Sequence, residues 1–161
     1  MLKKAIKKKI TPTRAVLLEN SQLHGLVCDG LGAVENAHLS CIDSSIRSEF
    51  GDSIDIDAAY LRGRESENRW DYILGHDRTK KLIAVEPHSA KGDQVSTVIA
   101  KRKAALRHLD NDLKPHARVN VWLWVASGNV QFADTERAKR RLDQNGIKFV
   151  GKRVTKKDIP S

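Results

Sequence analysis

The stretch that decides the fold is WDYILGHDRTKKLIAVEPHSAK, residues 70–91, which has the composition of a β-hairpin. Two runs rich in Ile, Leu, Val, Tyr and Trp flank a polar run, residues 76–80, whose residues favour a turn. A turn centred between Arg78 and Thr79 fixes the register of the two strands. The sequence therefore predicts an antiparallel pair of strands joined by a short loop.

This register brings two acidic residues together. It places Asp71 directly opposite Glu86, where like charges about 5 Å apart destabilise an antiparallel pair. A divalent cation between the two carboxylates would reverse the sign of that effect. A register shifted by one residue would instead send the two carboxylates to opposite faces, each simply solvated. The alternation favours a polar site, because one face of the second strand carries Ile83 and Val85 and the other carries Ala84, Glu86 and His88.

Composition indicates one ordinary soluble domain with its own core, since the chain has 161 residues, 40% hydrophobic and 30% charged. No apolar run suggests a membrane span or a secretory signal. The formal charge of +9 favours a polyanionic partner, nucleic acid first and an anionic membrane surface second. Basic residues concentrate before Glu19 and from Arg137 onward, whereas residues 52–71 are locally acidic. Such a distribution suits a metal enzyme that cleaves phosphodiesters, although a solvated basic arm and tail would look the same.

The two cysteines, Cys28 and Cys41, form no disulfide-like framework and indicate a reducing compartment, the cytoplasm. With His24 and His38 they could in principle form a zinc site. Their spacing is not that of a standard zinc finger, and buried thiols with ordinary histidines are the commoner outcome.

The remaining periodicity predicts a helix over residues 33–50 that ends at Gly51. A second helix begins at Gly92-Asp93 and runs to Leu113, before Pro115. Residues 118–126 then form a strand buried on both faces. A short helix follows, from Asp134 or Thr135 to Asn145-Gly146, and residues 147–151 form a final parallel strand. The predicted organisation is a basic N-terminal arm and lead-in (1–32), a single domain (33–154) and a disordered basic tail (155–161).

This order of elements, with one acid on the first hairpin strand and an acid-x-base triplet ending the second, resembles the PD-(D/E)XK phosphodiesterase superfamily. The resemblance covers residues 33–150. It implies an α/β fold with a restriction-endonuclease-like core, in which helices flank a mixed sheet made of an antiparallel hairpin plus parallel crossover strands. It also implies a magnesium- or manganese-dependent endonuclease acting on nucleic acid, with DNA as the first expectation.

Carried over by position, the resemblance implies that Asp71 and Glu86 bind Mg²⁺, with the backbone carbonyl of Pro87 as a third ligand. His88 stands where the family usually has lysine, and it could orient or deprotonate the attacking water. Lys91 is the other candidate for this role, because its side chain can reach back to the strand end.

Further candidates lie outside the hairpin. Gln94, in the first turn of the following helix, would supply a polar group, and Lys101 would meet a phosphate. Glu49 is the better candidate for an additional acid and Glu35 the weaker one. The N-terminal arm would grip the nucleic-acid backbone through Lys7, Lys8 and Lys9.

Two other classes of function remain open. One is a nucleic-acid-binding domain on the same fold without catalytic activity, which the missing lysine would permit. The other is a protein-interaction module, favoured by Asp52, Asp55 and Asp57, which lie on no predicted core face. A homodimer is an expectation by analogy with nucleases that cut two strands. Serine- or cysteine-hydrolase signatures, a P-loop and a Gly-x-Gly-x-x-Gly fingerprint are absent from the sequence.

Overall fold

A six-stranded mixed sheet organises the computed structural model, which describes residues 9–91, 94–128 and 136–161. The strands lie in the sheet in chain order. From β1 to β4 neighbours are antiparallel, and β4, β5 and β6 run parallel. Their bounds are β1 Cys28–Asp29, β2 Phe50–Asp55, β3 Tyr72–His76, β4 Leu82–His88, β5 Val121–Ala126 and β6 Ile147–Phe149.

Different layers cover the two faces of the sheet. One face packs against four helices, which are α1 Pro12–Val16, α2 Ile56–Tyr60, α3 Gln94–Asp110 and α4 Glu136–Gln144. The other face packs against 3₁₀ segments and the chain after β6. The described 3₁₀ helices are Asn36–Cys41, Ser44–Glu49, Lys156–Asp158 and Gln22–Leu26, of which the last buries Leu23 on the side of the α-helices. The prediction of a mixed α/β sheet with helices on its flank is confirmed.

The hairpin has the predicted register. Gly75 pairs with Leu82, and the pairing continues through Leu74–Ile83 and Ile73–Ala84 to Tyr72–Val85. Both faces of β4 are buried, because the sheet is covered on both sides. The alternation seen in the sequence therefore marks two apolar faces, and only Glu86 and His88 are polar at the end of the strand.

The predicted helix over residues 33–50 is wrong. The chain instead forms the 3₁₀ helices Asn36–Cys41 and Ser44–Glu49, and Phe50 already begins β2. The break between them has a local cause, since the Asp43 carboxylate accepts a 2.9 Å hydrogen bond from the Ser45 N–H and starts a new turn. Apolar residues spaced three to five apart can be buried by two short turns packed on the sheet as well as by one amphipathic helix. The buried apolar residues of this segment are Val34, Cys41, Ile42, Ile46 and Phe50.

The tail is not disordered as predicted. Val154 forms a bridge with Ile42, and the 3₁₀ helix Lys156–Asp158 follows it. The side chain of Asp158 is buried and accepts 2.9 Å hydrogen bonds from the Thr155 N–H and from Lys148 Nζ. These bonds fix the tail because a buried carboxylate requires its partners.

The lead-in is also part of the domain. Helix α1 packs against β2 and β3, Leu17 after it is buried in the core, and β1 pairs with β2. The chain before Lys9 lies outside the described residues, as do the helix-start residues Gly92, Asp93, Asp134 and Thr135 named from the sequence. Within the described ranges, no helix has the length and apolar character needed to cross a membrane.

Candidate active site

The two predicted acids meet at one end of the central strands, where β3 begins and β4 ends. Asp71 immediately precedes β3, and the Asp71 N–H donates a 2.9 Å hydrogen bond to Oε2 of Glu86. The Glu86 side chain is fully buried, whereas that of Asp71 is 21% exposed. The Asp71 carboxylate is therefore the one that solvent reaches.

A lysine from α3 contacts both carboxylates. Lys101 Nζ lies 3.5 Å from Oδ1 of Asp71 and also contacts Oε1 of Glu86. Helix α3 packs on this face through Val98 and Ile99, which places Lys101 over the strand ends. Its side chain is 14% exposed, so one positive charge faces two negative charges in a largely desolvated space.

The electrostatics of Asp71 reflect this imbalance. Burial raises the pKa of Asp71 to about 7, and the negative charge of Glu86 adds to the effect. Lys101 opposes the shift, and Asp57 contributes to it weakly. Near neutral pH the Asp71 carboxyl is thus only partly ionised, and an added cation would favour its ionised form.

His88 completes the cluster. Its Nδ1 lies 3.5 Å from Oε1 of Glu86, and its Nε2 lies 2.7 Å from Oε1 of Gln94. These hydrogen bonds, that with Glu86 first, raise the pKa of His88 against the opposing effects of burial and of Lys101. Contacts of both ring nitrogens therefore fix the orientation of the imidazole, as general acid–base catalysis requires.

Pro87 lies between these residues and fits a strand end. The β3–β4 ladder stops at Tyr72–Val85, and Pro87 faces Val125 of the parallel neighbour β5. Since β3 has already ended, the missing proline N–H interrupts no bond of the hairpin.

The structure thus brings Asp71, Glu86, His88, Gln94 and Lys101 together, but not every predicted residue joins them. Lys91 is exposed beyond the end of β4, and among the described residues no ion pair links it to either carboxylate. Glu49 and Lys9 lie at the opposite edge, by the hairpin turn. Glu49 Oε1 is 3.2 Å from Nε2 of His76, and Lys9 Nζ is 3.4 Å from Oδ2 of Asp77. Lys7 and Lys8 lie outside the described residues.

Sequence reasoning missed two features of the site. Lys101 was expected to meet a phosphate, and instead it neutralises the carboxylates, which only the packing of α3 reveals. Asp57, in the first turn of α2, lies close enough for its charge to act on Asp71. Its Oδ1 accepts a 2.8 Å hydrogen bond from Nε of Arg69. The local excess of acids in residues 52–71 was the available signal for Asp57.

The alternative zinc site does not form. His24 Nε2 lies 3.0 Å from the Leu18 carbonyl oxygen, and His38 Nδ1 lies 2.7 Å from the Tyr72 hydroxyl. Cys28 and Cys41 are both free thiols. In the described part of the chain, no three side chains of His, Cys, Asp or Glu converge as metal ligands.

The donor set of Asp71 and Glu86 nevertheless suits magnesium. Mg²⁺ is commonly held by one or two carboxylates and keeps several waters, so it does not need a third side chain. Both carboxylates already contact one cation, the Lys101 ammonium. Asp71, being partly exposed, is accessible to an ion from solvent.

Comparison with known proteins gives no match to a family model, to a curated protein or to a solved structure. The functional argument therefore depends on the geometry of the site.

Proposed function

We propose that this protein is a metal-dependent nuclease of the PD-(D/E)XK type, which hydrolyses phosphodiester bonds of nucleic acid, with DNA as the substrate to test first. One observation supports this most directly. Asp71, immediately before β3, and Glu86, on the adjacent strand β4, are joined by a hydrogen bond and contact the same lysine. A protein gains little stability from burying two like charges unless they bind a cation.

The arrangement of the sheet agrees with the proposal. An antiparallel hairpin carries the acids, helix α3 crosses over one face, and β5 returns parallel to β4. This order of strands and helix supports the restriction-endonuclease-like core that the proposal requires. The carboxylates lie at the carboxyl end of β4, at the sheet edge where open α/β sheets commonly bind ligands.

Asp71 and Glu86 would hold the metal ion, together with the Pro87 carbonyl. A bound Mg²⁺ or Mn²⁺ supplies a Lewis acid for the phosphoryl oxygen and lowers the pKa of a bound water. The residues of the chain supply the remaining functions.

Lys101 and His88 have distinct roles in this proposal. With the two carboxylates bound to a metal ion, Lys101 would be free to place its positive charge against a phosphate oxygen as negative charge develops there. His88, oriented by Gln94, accepts the proton of the attacking water or stabilises the departing oxygen when protonated. A lysine, Lys101, thus reaches the site from α3, and His88 stands on β4 at the position where the family usually has its lysine.

A second candidate is a nucleic-acid-binding domain on the same fold that lacks catalysis. The contacts of Lys101 favour it, because an ammonium on both carboxylates already satisfies them without a metal. The two candidates differ in whether a divalent ion displaces Lys101.

The test is cleavage of DNA and of RNA with Mg²⁺, with Mn²⁺ and with EDTA, for the wild type and the variants Asp71→Asn and Glu86→Gln. We expect divalent-dependent cleavage that both variants abolish while binding persists. Asp110→Asn, at the exposed end of α3, is the matched control and should cleave normally. Salt-sensitive binding without cleavage would select the second candidate. Full activity in both site variants would overturn the nuclease proposal.

A further inference from the structure

A basic pocket lies at the same edge of the sheet as the two carboxylates, on the side of the 3₁₀ segments. Its volume is about 410 Å³. It is bounded by the end of β5, the 3₁₀ helix Asn36–Cys41 and the chain after β6. The lining includes His38, Cys41, Ser127, Gly128, Lys152 and Arg153.

Main-chain hydrogen bonds connect this pocket to the carboxylate site. His88 pairs with Ala126, and the Ser127 N–H donates a 3.1 Å hydrogen bond to the His88 carbonyl. The Ala126 N–H donates a 2.7 Å bond to the Gly151 carbonyl, which positions Lys152 and Arg153. From Glu86 along β4 and across to β5, strand geometry gives a separation on the order of 10 Å. At about 3.4 Å of helix rise per nucleotide, the pocket is therefore about three nucleotide steps away from the carboxylates.

The charge of the pocket complements a phosphate. Lys152 and Arg153 are exposed, and no acidic side chain is among the described residues that line it. Asp43 is a counter-charge to Arg153, with Oδ2 at 3.9 Å from Nη1 of Arg153. An exposed pair at that distance is weak and leaves Arg153 able to bind another anion.

We propose that this pocket, called here the phosphate pocket, binds a backbone phosphate of nucleic acid a few nucleotides from the one at the carboxylates. The nucleic-acid strand then passes over the end of the sheet where β4 and β5 finish, from Asp71 and Glu86 on one face to Lys152 and Arg153 on the other. This inference depends on the proposed function, because it identifies the path of the same substrate. It also explains how a site of two carboxylates and one lysine attracts a polyanion, since further cations lie beside it.

The test is the salt dependence of binding for the double variant Lys152→Ala/Arg153→Ala. A fluorescent DNA duplex is titrated with protein in EDTA, so that no cleavage occurs, over a series of salt concentrations. The slope of log Kobs against log salt should become shallower by about 1 to 2, since each lost phosphate contact removes about 0.9. The rate of cleavage with Mg²⁺ at limiting DNA should fall in parallel.

The matched control is Arg78→Ala/Arg118→Ala, which removes the same charge from exposed positions at the opposite edge of the sheet. It should change the slope by less than half as much. Lys152→Ala alone leaves the Asp43–Arg153 pair in place, and should still flatten the slope by about 1 if the pocket binds phosphate. Equal losses in both double variants would overturn the pocket in favour of general net charge.

The failures of the two proposals are distinguishable. Wild-type protein that binds and cleaves DNA, with an unchanged slope in Lys152→Ala/Arg153→Ala, would overturn the phosphate pocket alone. Wild-type protein that neither binds nor cleaves nucleic acid would overturn both proposals.

Discussion

The backbone N–H of Asp71 donates a hydrogen bond to the side chain of Glu86, at 2.9 Å. The main chain of one acid thus fixes the carboxylate of the other. This bond occupies Oε2 of Glu86 and leaves Oε1 for Lys101 and His88. The carboxylate site is preorganised by the hairpin itself, and its chemistry depends on which cation contacts the remaining oxygens.

Replacing Lys101 by methionine should destabilise the protein in a way that magnesium reverses. The variant leaves two carboxylates without their shared cation, so we expect the free energy of unfolding to fall by about 2–4 kcal/mol in EDTA at about pH 8. Added Mg²⁺ should recover about 2.7 kcal/mol at a hundredfold excess over its Kd. Denaturant titrations with EDTA and with Mg²⁺ measure both effects.

The control for that experiment is Lys103→Met, an exposed position on the same helix. It should change stability little and gain nothing from Mg²⁺. If Lys101→Met responds to Mg²⁺ no more than this control does, the carboxylates do not bind the ion.

Asp71→Asn should stabilise the protein in a pH-dependent manner. The pKa of Asp71 rises from 3.8 to about 7 on folding, so ionising this carboxyl costs folding energy. The cost is absent below about pH 4, grows as pH rises towards 7, and is complete above 7. That shift sets an upper limit of about 4 kcal/mol, and the partial exposure of Asp71 reduces it.

Denaturant unfolding of Asp71→Asn and wild type between about pH 4 and about pH 8 measures the effect. The advantage of the variant should increase up to about pH 7 and then level off. A constant difference across this range would show that Asp71 has an ordinary pKa in the folded protein.

The cleavage rate should increase with pH through the same range. A carboxyl that binds Mg²⁺ must be ionised, so kcat/KM should rise up to tenfold per unit below about pH 7 and then flatten. Higher Mg²⁺ should shift the midpoint to lower pH, because the ion competes with the proton. A midpoint that does not depend on Mg²⁺ would assign the titration to another group, such as His88.

Gly75→Ala should be strongly destabilising. A Cβ at Gly75 would lie 2.1 Å from Oδ1 of Asp52 and 2.9 Å from Cβ of Pro12. Asp52 is fully buried, and its Oδ2 accepts hydrogen bonds from the N–H groups of Thr13 and Arg14 at 2.9 and 3.3 Å. We expect a loss of about 1–3 kcal/mol in denaturant unfolding, because neither neighbour can move without releasing α1.

Gly25→Ala provides the comparison. A Cβ at Gly25 meets nothing within 4 Å, so the stability of this variant should stay close to that of the wild type. Equal effects at Gly25 and Gly75 would contradict the close packing of α1 on β3.

The sequence predicted the features that depend on local chemistry. Turn residues and alternation sufficed for the register that pairs Tyr72 with Val85. The helix that became α3 and the buried strand β5 were also predicted, because each is a long pattern with one interpretation. That register also predicted that Asp71 and Glu86 lie close together, and the Asp71 N–H does donate a hydrogen bond to Glu86.

Features that depend on tertiary contacts were missed. Strand β2 reads FGDSID, and Gly, Asp and Ser disfavour strands in isolation. It forms because buried partners satisfy its polar residues, as when the Ala33 N–H donates a 3.0 Å bond to Ser53 Oγ. Glu49 was predicted to supply an additional acid from a helix over residues 33–50, but that helix does not exist and Glu49 lies by the hairpin turn. The contact of Lys101 with Glu86 requires α3 to lie over the strand ends, which periodicity does not reveal.

Asp71, Glu86 and Lys101 all come from one continuous segment, since Glu86 follows Asp71 by 15 positions and Lys101 follows Glu86 by 15. An inserted or deleted residue within a hairpin strand would turn one acid to the opposite face, and one in α3 before Lys101 would rotate the lysine by about 100°. Length changes during evolution should therefore be tolerated outside residues 71–101 and eliminated within the elements of that segment.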